Sequence, residues 1–219
     1  YLSSVSMAAF TILSDTQILM SFNESGSVTN DDSSVVTFDD SDLLLFTAIS
    51  LGASTSGTFE LYFDGSDVGL TRNGEDIDSV SIDPDTGDLL FSTRGNYNVP
   101  GLSGADEDVS RFTPTSLGSA TSGSWTVYFD GSDVGLGDSS NEDVDGFAIL
   151  NDQIYVSTRG NFSVPGISGN DQQIVVFNPT ALGTATAGSY DALPHFDALS
   201  NDIRGLDVRI VPGSLTAAV

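Results

Sequence analysis

The chain of 219 residues has no cysteine, no lysine and a single histidine. Without cysteine, a disulfide framework, a zinc–thiolate site, an iron–sulfur cluster and a cysteine nucleophile are all excluded. Six arginines supply every permanent positive charge against 31 Asp and Glu residues, so the formal net charge is −25 at pH 7. Such a surface repels phosphate and anionic lipid headgroups, and we therefore expect neither nucleic-acid binding nor binding to a membrane surface.

The sequence also lacks a long apolar run. The longest are short pieces such as residues 43–46, well below the roughly 18 residues of a membrane-spanning helix, so no membrane insertion is expected. Hydrophobic residues nevertheless make up 39% of the chain, which is enough to bury one sizeable core. We therefore expect a folded protein rather than a disordered acidic chain. Since the sequence opens at Tyr1 without a recognisable signal peptide, we expect a mature product or an excised domain.

The sequence repeats itself three times, the third time in part. The string FDGSDVGL at residues 63–70 returns at 129–136, and STRGN at 92–96 returns at 157–161, which gives a period of 65 to 66 residues. The related strings SLGASTSG, SLGSATSG and ALGTATAG mark all three copies. Self-similarity at a fixed period indicates repeated supersecondary units. The predicted division is repeat 1 at about 1–58, repeat 2 at about 59–124, repeat 3 at about 125–189, a partial repeat at 190–211 and a tail at 212–219.

Each period contains four short runs of β-type residues separated by Gly, Pro, Asp and Ser clusters, which predicts an all-β unit. In the best-preserved copy the runs are 125–129, 144–150, 153–157 and 173–177. The second and third runs predict a hairpin, because Asn151 and Asp152 between them are good turn residues. Four antiparallel strands per repeat favour a β-propeller-like array of blades, with a β-solenoid or another repeat β-fold as the alternative.

The strand count leaves this array incomplete. On this division the chain starts at a second strand and ends with a first and a second strand, at 192–196 and 204–210. Propellers usually have at least about four blades. Two explanations stay open: the chain belongs to a longer repeat array, or its open β-edges pair with other copies. We therefore expect self-association or a longer parent chain.

Acidic residues recur in register in the two best-preserved copies and are the candidate metal ligands. They are Asp64, Asp67, Glu75, Asp76, Asp78, Asp130, Asp133, Glu142, Asp143 and Asp145. Strand alternation places Asp76 and Asp78 on the apolar side of their strand, where two carboxylates about 4 Å apart repel by roughly 4 kcal/mol. Calcium prefers carboxylate and carbonyl oxygens, and it is the expected cofactor. Two other interpretations stay open: the acids only make turns and cap backbone amides, or Arg94 and Arg159 of the STRGN strings neutralise them.

A second acidic cluster precedes the fourth predicted strand, where Asp40 and Asp42 correspond to Asp106 and Asp108. The third copy has two glutamines in this region, so a metal there would be confined to particular repeats. His195 stands alone and no serine lies in a nucleophile-elbow motif, so no catalytic residue is predicted.

The aromatic residues are predicted to be core residues. Phe59, Trp125 and Tyr190 share one repeat position, and strand alternation directs them toward the core. Tyr62 and Tyr128, on the opposite face, are the only pair that would suit a sugar-binding platform.

The string FDGSDVGL, followed by EDID or EDVD, STRGN, VPG-x-SG and ADED, resembles a repeat of large, mostly uncharacterised bacterial secreted or cell-surface proteins. The resemblance covers nearly the whole chain. It implies an extracellular or cell-surface location and a propeller-like repeat. Residues 5–8 and 201–204 depart from the acidic string at the two ends, so only the two central copies keep the full acidic set.

Three functional hypotheses follow. The first is a secreted, calcium-supported β-repeat protein with a structural, adhesive or assembly role and no catalysis. The second is a propeller enzyme or small-ligand-binding module that uses a central carboxylate and metal cluster. The third takes the acidity as adaptation to a saline habitat, with stability that depends on salt and not on calcium. Similar residues at equivalent positions favour a scaffold over an active site, so the first hypothesis is preferred.

Overall fold

The computed structural model describes residues 5–137, 139–192, 203 and 205–208, and this part of the chain is all-β, as the sequence predicts. The first portion forms β1 (Met7–Ser14), β2 (Gln17–Phe22), a small hairpin of β3 (Gly26–Thr29) and β4 (Val35–Phe38), β5 (Leu43–Ser50) and β6 (Ser56–Phe63). The second portion forms β7 (Ile77–Ile82), β8 (Leu89–Thr93), a small hairpin of β9 (Tyr97–Val99) and β10 (Leu102–Gly104), β11 (Val109–Ser116) and β12 (Ser122–Phe129). The third portion forms β13 (Val144–Leu150), β14 (Gln153–Thr158), a small hairpin of β15 (Phe162–Val164) and β16 (Ile167–Gly169), β17 (Val175–Ala181) and β18 (Ala187–Ala192).

Each portion folds into one four-stranded antiparallel sheet. Sheet 1 has the order β1-β2-β5-β6, sheet 2 has β7-β8-β11-β12, and sheet 3 has β13-β14-β17-β18. Chain order and sheet order therefore agree, and each small hairpin is inserted between the second and third strands. The sequence correctly predicts the repeated four-stranded unit.

The turn between β13 and β14 has the chemistry expected from its sequence. Asn151 and Asp152 have φ angles of 52° and 63°, the left-handed conformation that a two-residue type I′ hairpin turn requires. Leu150 pairs with Gln153 across this turn, so the register is fixed at the hairpin end.

The strands are grouped differently from the predicted division. The run 125–129 lies in β12, where Trp125 pairs with Phe112 of β11, so it is the last strand of sheet 2 and not the first strand of the next unit. The physical reason is loop length: a short loop joins β11 to β12, whereas 14 residues lie between Phe129 and Val144. The chain accordingly enters at the first strand of a sheet. The extra strands expected at 192–196 and 204–210 fall largely outside the described residues.

The first strands of the three sheets lie side by side. Strand β7 contacts both β1 and β13. Beyond β13 lie residues 203 and 205–208, and the Gly205 N–H donates to the Asp145 carbonyl at 2.8 Å. A Cβ atom on Gly205 would also lie 3.3 Å from the Cα of Ala9 in β1. The last described segment therefore lies between β13 and β1.

The core fills the space between neighbouring sheets. Phe63, at the end of β6 in sheet 1, is fully buried against Phe91 and Phe112 of sheet 2, with ring centroids 5.0 and 5.2 Å apart. Phe129, at the same position of sheet 2, lies 5.3 Å from the ring of Phe177 in sheet 3. Sheets 1 and 2 thus each contribute a phenylalanine to the core of the following sheet. Within the described residues, no helix has the length and apolar character needed to cross a membrane.

Candidate functional site

The ten candidate ligands occupy three different places in the structure. Four of them, Asp64, Asp67, Asp130 and Asp133, lie in the turns after β6 and β12. Glu75 and Glu142 lie just before β7 and β13, and are buried. The remaining four, Asp76, Asp78, Asp143 and Asp145, lie where β7 and β13 begin. The structure therefore divides one predicted set into three groups with different chemistry.

The first group lies at the contacts between neighbouring sheets, and each such contact is called a joint. In each joint a docking turn (residues 62–67 or 128–133) binds to a receiving loop of the next sheet (residues 117–121 or 182–186). In the first joint, Gly118 N–H donates to the Tyr62 carbonyl at 2.8 Å. The Asp64 N–H donates to Thr121 Oγ1 at 3.0 Å, and the Thr121 N–H donates to Asp67 Oδ2 at 2.9 Å. These three bonds attach the end of sheet 1 to the outer loop of sheet 2.

The second joint repeats two of these three bonds between sheets 2 and 3. Gly183 N–H donates to the Tyr128 carbonyl at 2.8 Å, and Asp130 N–H donates to Thr186 Oγ1 at 2.9 Å. Asp130 Oδ1 also accepts from Ser132 Oγ at 2.7 Å, which shapes the turn. The carboxylates of Asp64, Asp67 and Asp130 thus accept hydrogen bonds from hydroxyl or amide groups.

The two glutamates accept backbone amides. Glu75 Oε2 accepts from the N–H groups of Thr71 and Arg72 at 2.7 and 2.8 Å, and its Oε1 accepts from Asn98 at 2.9 Å. Glu142 accepts from Ser139 and Ser163 at 3.0 and 2.8 Å. Each carboxylate thereby links the segment before the first strand of its sheet, β7 or β13, to the small hairpin of that sheet. This arrangement agrees with the amide-capping interpretation.

All of the third group except Asp143 line a central acidic cavity of about 170 Å³ between β1, β7 and β13. Its charged lining consists of Asp76, Asp78, Asp145, Arg94 and Arg159. Ser92 Oγ donates to Asp78 Oδ1 at 2.8 Å, and Ser157 Oγ donates to Asp145 Oδ1 at 3.2 Å.

The arginines of the STRGN strings pair with the acids of their own sheets, which is the arginine interpretation that the sequence left open. Arg94 Nη1 lies 3.6 Å from Asp76 Oδ2, and Arg159 Nη1 lies 3.7 Å from Asp143 Oδ2. The side chains of Arg94 and Arg159 are 53% and 42% exposed, so solvent screens both pairs. Asp143 is only 2% exposed, and neither of its carboxylate oxygens has a hydrogen-bond partner.

Burial and nearby negative charges keep the carboxyl groups of Asp143 and Asp78 protonated to higher pH than usual. Burial raises the pKa of Asp143 to about 7, the charge of Asp106 adds to this, and Arg159 opposes it. The pKa of Asp78 lies well above its ordinary value because of burial and the charges of Asp143 and Asp145. Protons therefore supply part of the neutralisation that the acidic cavity needs.

Sheet 1 contributes no acid to this cavity. Met7 pairs with Phe22 as Ile77 pairs with Thr93, so Ser6 and Ala8 occupy the positions of Asp76 and Asp78. The sequence shows this departure at residues 5–8. Within the described ranges, no group of three or more His, Cys, Asp or Glu residues is placed to hold a metal ion.

The aspartates of the second acidic cluster also accept hydrogen bonds from backbone N–H groups. Asp42 accepts from the N–H groups of Asp39 and Gly65 at 2.9 and 3.0 Å, and Asp108 accepts from Ala105 and Gly131 at 2.9 and 3.0 Å. In sheet 3, Gln173 occupies the position of Asp42 and Asp108, and its Oε1 accepts from the Asn170 N–H at 3.0 Å. The substitution of glutamine for aspartate thus keeps an oxygen acceptor in place.

Sequence reasoning missed two sets of residues. Thr121 and Thr186 complete the joints. The sequence feature that could have identified them is the threonine that recurs at the same position of SLGASTSG, SLGSATSG and ALGTATAG. Arg111 forms ion pairs with Asp83 and Asp88 and covers the ring of Tyr128 at 4.9 Å, but it occurs in one copy only.

The aromatic predictions have mixed outcomes. Trp125 is buried, and Phe59 and Tyr190 pack against the core as expected. Tyr128 is only 8% exposed beneath Arg111 and Tyr62 is half-buried, so they do not form an exposed sugar platform. His195 lies outside the described residues.

Fold and site together define an all-β protein of repeated four-stranded sheets that are joined by acidic turns. Comparison of the chain with protein-family models, with curated proteins and with solved structures finds no match.

Proposed function

We propose that the chain is a non-catalytic β-repeat module with a structural, adhesive or assembly role. The observation that carries this proposal is the use made of the most strongly repeated residues: Asp64 and Asp67 hydrogen-bond at a joint between two sheets. Residues that recur because they join neighbouring units serve a scaffold. An active site, in contrast, needs unlike groups to converge in one pocket.

A propeller-like arrangement of the sheets is part of the proposal, and a recurring backbone contact supports it. The N–H groups of Ile77 and Val144 donate to the carbonyls of Asp40 and Asp106 at 3.0 and 3.1 Å. Ile203 N–H donates to the Asp171 carbonyl at 3.0 Å in the same way. Ile203 therefore has the backbone environment of Ile77 and Val144, and residues 203 and 205–208 follow the first strands β1, β7 and β13 as a fourth segment in the same series.

We also propose an extracellular or cell-surface location, because the repeated strings resemble those of secreted bacterial repeat proteins. Labelling of intact source cells with an antibody against the chain is the test. Labelling of intact cells is expected, and labelling only after lysis contradicts it.

Self-association is the simplest form of an assembly role. Native mass spectrometry over a range of protein concentrations is expected to give multiples of the 22.8 kDa chain. A species of 22.8 kDa at every concentration contradicts assembly between copies.

The central acidic cavity favours a second candidate function, the binding of a cation. Asp76, Asp78 and Asp145 outnumber the two screened arginines of the cavity lining, and the oxygens of Asp143, a charged neighbour of Asp78, have no hydrogen-bond partner. Calcium is the candidate because it accepts a mixture of carboxylate, carbonyl and water oxygens. A cation held here would have to keep several water ligands, since three protein carboxylates do not converge on one point among the described residues.

Calcium titration at pH 8 tests this candidate, because a ligand that binds the folded state raises Tm by mass action. We expect Tm to rise with calcium, to fall with a chelator, and to respond much less in the Asp143→Asn variant. A Tm that changes with neither calcium nor chelator contradicts cation binding. The proposed assembly role is tested separately by native mass spectrometry.

A further inference from the structure

The loop of sheet 1 that corresponds to the two receiving loops carries no docking turn from the described residues. This loop, residues 51–55, has the sequence Leu-Gly-Ala-Ser-Thr and aligns with residues 117–121 and 182–186. Thr121 and Thr186 are each 4% exposed beneath their docking turns, whereas Thr55 is exposed. A Cβ atom on Gly118 would lie 3.7 Å from the Leu61 carbonyl oxygen, but on Gly52 it would meet nothing within 4 Å.

The free loop nevertheless has the conformation of an occupied one. Thr55 Oγ1 donates to the Gly52 carbonyl at 3.0 Å, as Thr121 donates to Gly118 at 2.6 Å. Gly52 has a φ of 107° and Gly118 one of 84°, both in the left-handed region where glycine is favoured. The loop is therefore organised before anything binds, which lowers the entropic cost of binding.

An aromatic groove lies beside this loop. In the first joint, the Phe63 ring packs on the cross-strand pair of Phe112 and Trp125. The equivalent pair in sheet 1 is Phe46 and Phe59, whose rings are 4.8 Å apart.

Both rings of this pair are only partly buried. They line a groove of about 540 Å³ between Thr55 and Gly57 on one side and residues 28–31 of the β3–β4 hairpin on the other, where the Asn30 side chain hydrogen-bonds the Phe59 backbone. The groove thus offers a place for a phenylalanine next to a loop that offers the polar contacts of a joint.

We infer that the loop 51–55 and the groove at Phe46 and Phe59 bind a docking turn of the Tyr-Phe-Asp-Gly-Ser-Asp type from a repeat unit outside the described residues. The occupant is assigned by its chemistry, because both equivalent loops of this chain hold that turn. Its tyrosine carbonyl accepts from Gly52 N–H, its first aspartate N–H donates to Thr55 Oγ1, and its second aspartate accepts from Thr55 N–H. Its phenylalanine packs on Phe46 and Phe59. The inference rests on the proposed structural role and names the partner for it.

The test uses the intact chain labelled with ¹⁵N and a synthetic peptide with the sequence of residues 59–70, FELYFDGSDVGL. We expect saturable chemical-shift changes at residues 46, 51–55 and 59, with a dissociation constant of about 1 mM or below. A control peptide with Ala at the Phe63 position and Asn at the Asp64 and Asp67 positions is expected to bind far more weakly.

A chain variant separates this loop from the rest of the surface. Thr55→Val removes both the hydroxyl acceptor and the bond from this hydroxyl to Gly52. Because the position is exposed, the fold stays intact, and binding is expected to weaken by about fivefold or more. Thr180→Val, at another exposed threonine, is expected to bind like the parent chain.

Three results overturn the inference: no saturable shifts up to about 5 mM peptide, shifts centred elsewhere on the chain, or unchanged affinity in Thr55→Val. The mass measurement above remains an independent test, so a failure of peptide binding is distinguishable from a failure of the scaffold role.

Discussion

The hydroxyl oxygen of Thr121 accepts a hydrogen bond from the backbone N–H of Asp64 at 3.0 Å, and the two residues belong to different sheets. The same hydroxyl donates to the Gly118 carbonyl at 2.6 Å, so one side chain both shapes the receiving loop and binds the docking turn. Because Thr121 is only 4% exposed, removal of its oxygen leaves the amide of Asp64 without a partner at the joint.

The threonines of the loops should therefore differ in their contribution to stability. Thr121→Val is expected to lower the free energy of unfolding by about 1 to 3 kcal/mol, since it leaves the partly buried N–H of Asp64 without its acceptor. Thr55→Val changes the same residue in the free loop of sheet 1 and is expected to stay within about 0.5 kcal/mol of the parent chain. Urea denaturation followed by circular dichroism measures both, and equal effects would contradict the proposed joint.

A second prediction concerns the phenylalanine of the docking turn. Phe63 is fully buried among Phe91, Phe112 and Trp125, so Phe63→Ala is expected to cost about 3 to 5 kcal/mol. Ile49→Ala removes a side chain that is 74% exposed and is expected to cost little. Thermal unfolding of the two variants checks this, and a small loss in Phe63→Ala would show that the sheets do not depend on this contact.

The repeat and the strands could be predicted from the sequence because both depend on local information. Period-2 alternation and the Asn151-Asp152 turn identify the β13–β14 hairpin without knowledge of the rest of the chain. The assignment of β12 could not be made in this way, because strand order depends on which loop is short enough to form a hairpin. The sequence pattern placed 125–129 at the start of a unit, and pairing of Trp125 with Phe112 places it at the end.

The sequence could predict which acidic residues recur, but it could not predict what each of them contacts. Asp67 and Asp78 recur in register equally well, and sequence spacing does not say which carboxylate meets an amide. Asp67 accepts from Thr121, 54 residues away, and only the packing of two sheets brings them together. Asp78 instead meets Ser92 and the acids of β13 beside the central acidic cavity.

A third prediction follows from the buried carboxyl group of Asp143. Its pKa is about 7 in the folded chain against an ordinary value of 3.8, so between about pH 4 and 7 the folded state binds a proton that the unfolded state has lost. Stability is therefore present at the acidic end of this window and is lost as pH rises toward 7, by up to about 1.4 kcal/mol per pH unit for one such group. Asp78 acts in the same direction.

The slope of Tm against pH in chelator-treated protein measures this effect. Asp143→Asn is expected to flatten the decline between about pH 4 and 7, whatever its effect on absolute stability, because the amide does not titrate. Asp133→Asn, at an exposed position, is the matched control and is expected to keep the decline of the parent chain. An unchanged slope in Asp143→Asn would contradict the burial of a protonated carboxyl group beside the cavity.

The most direct measurement is the free energy of unfolding of Asp67→Ala with calcium and with a chelator, compared with Asp85→Ala at an exposed turn position. If Asp67 joins two sheets through the Thr121 amide, the variant loses about 1 to 3 kcal/mol under both conditions, and Asp85→Ala loses little. A loss that appears only when calcium is present would make Asp67 a metal ligand and would contradict the structural role of the repeated acids.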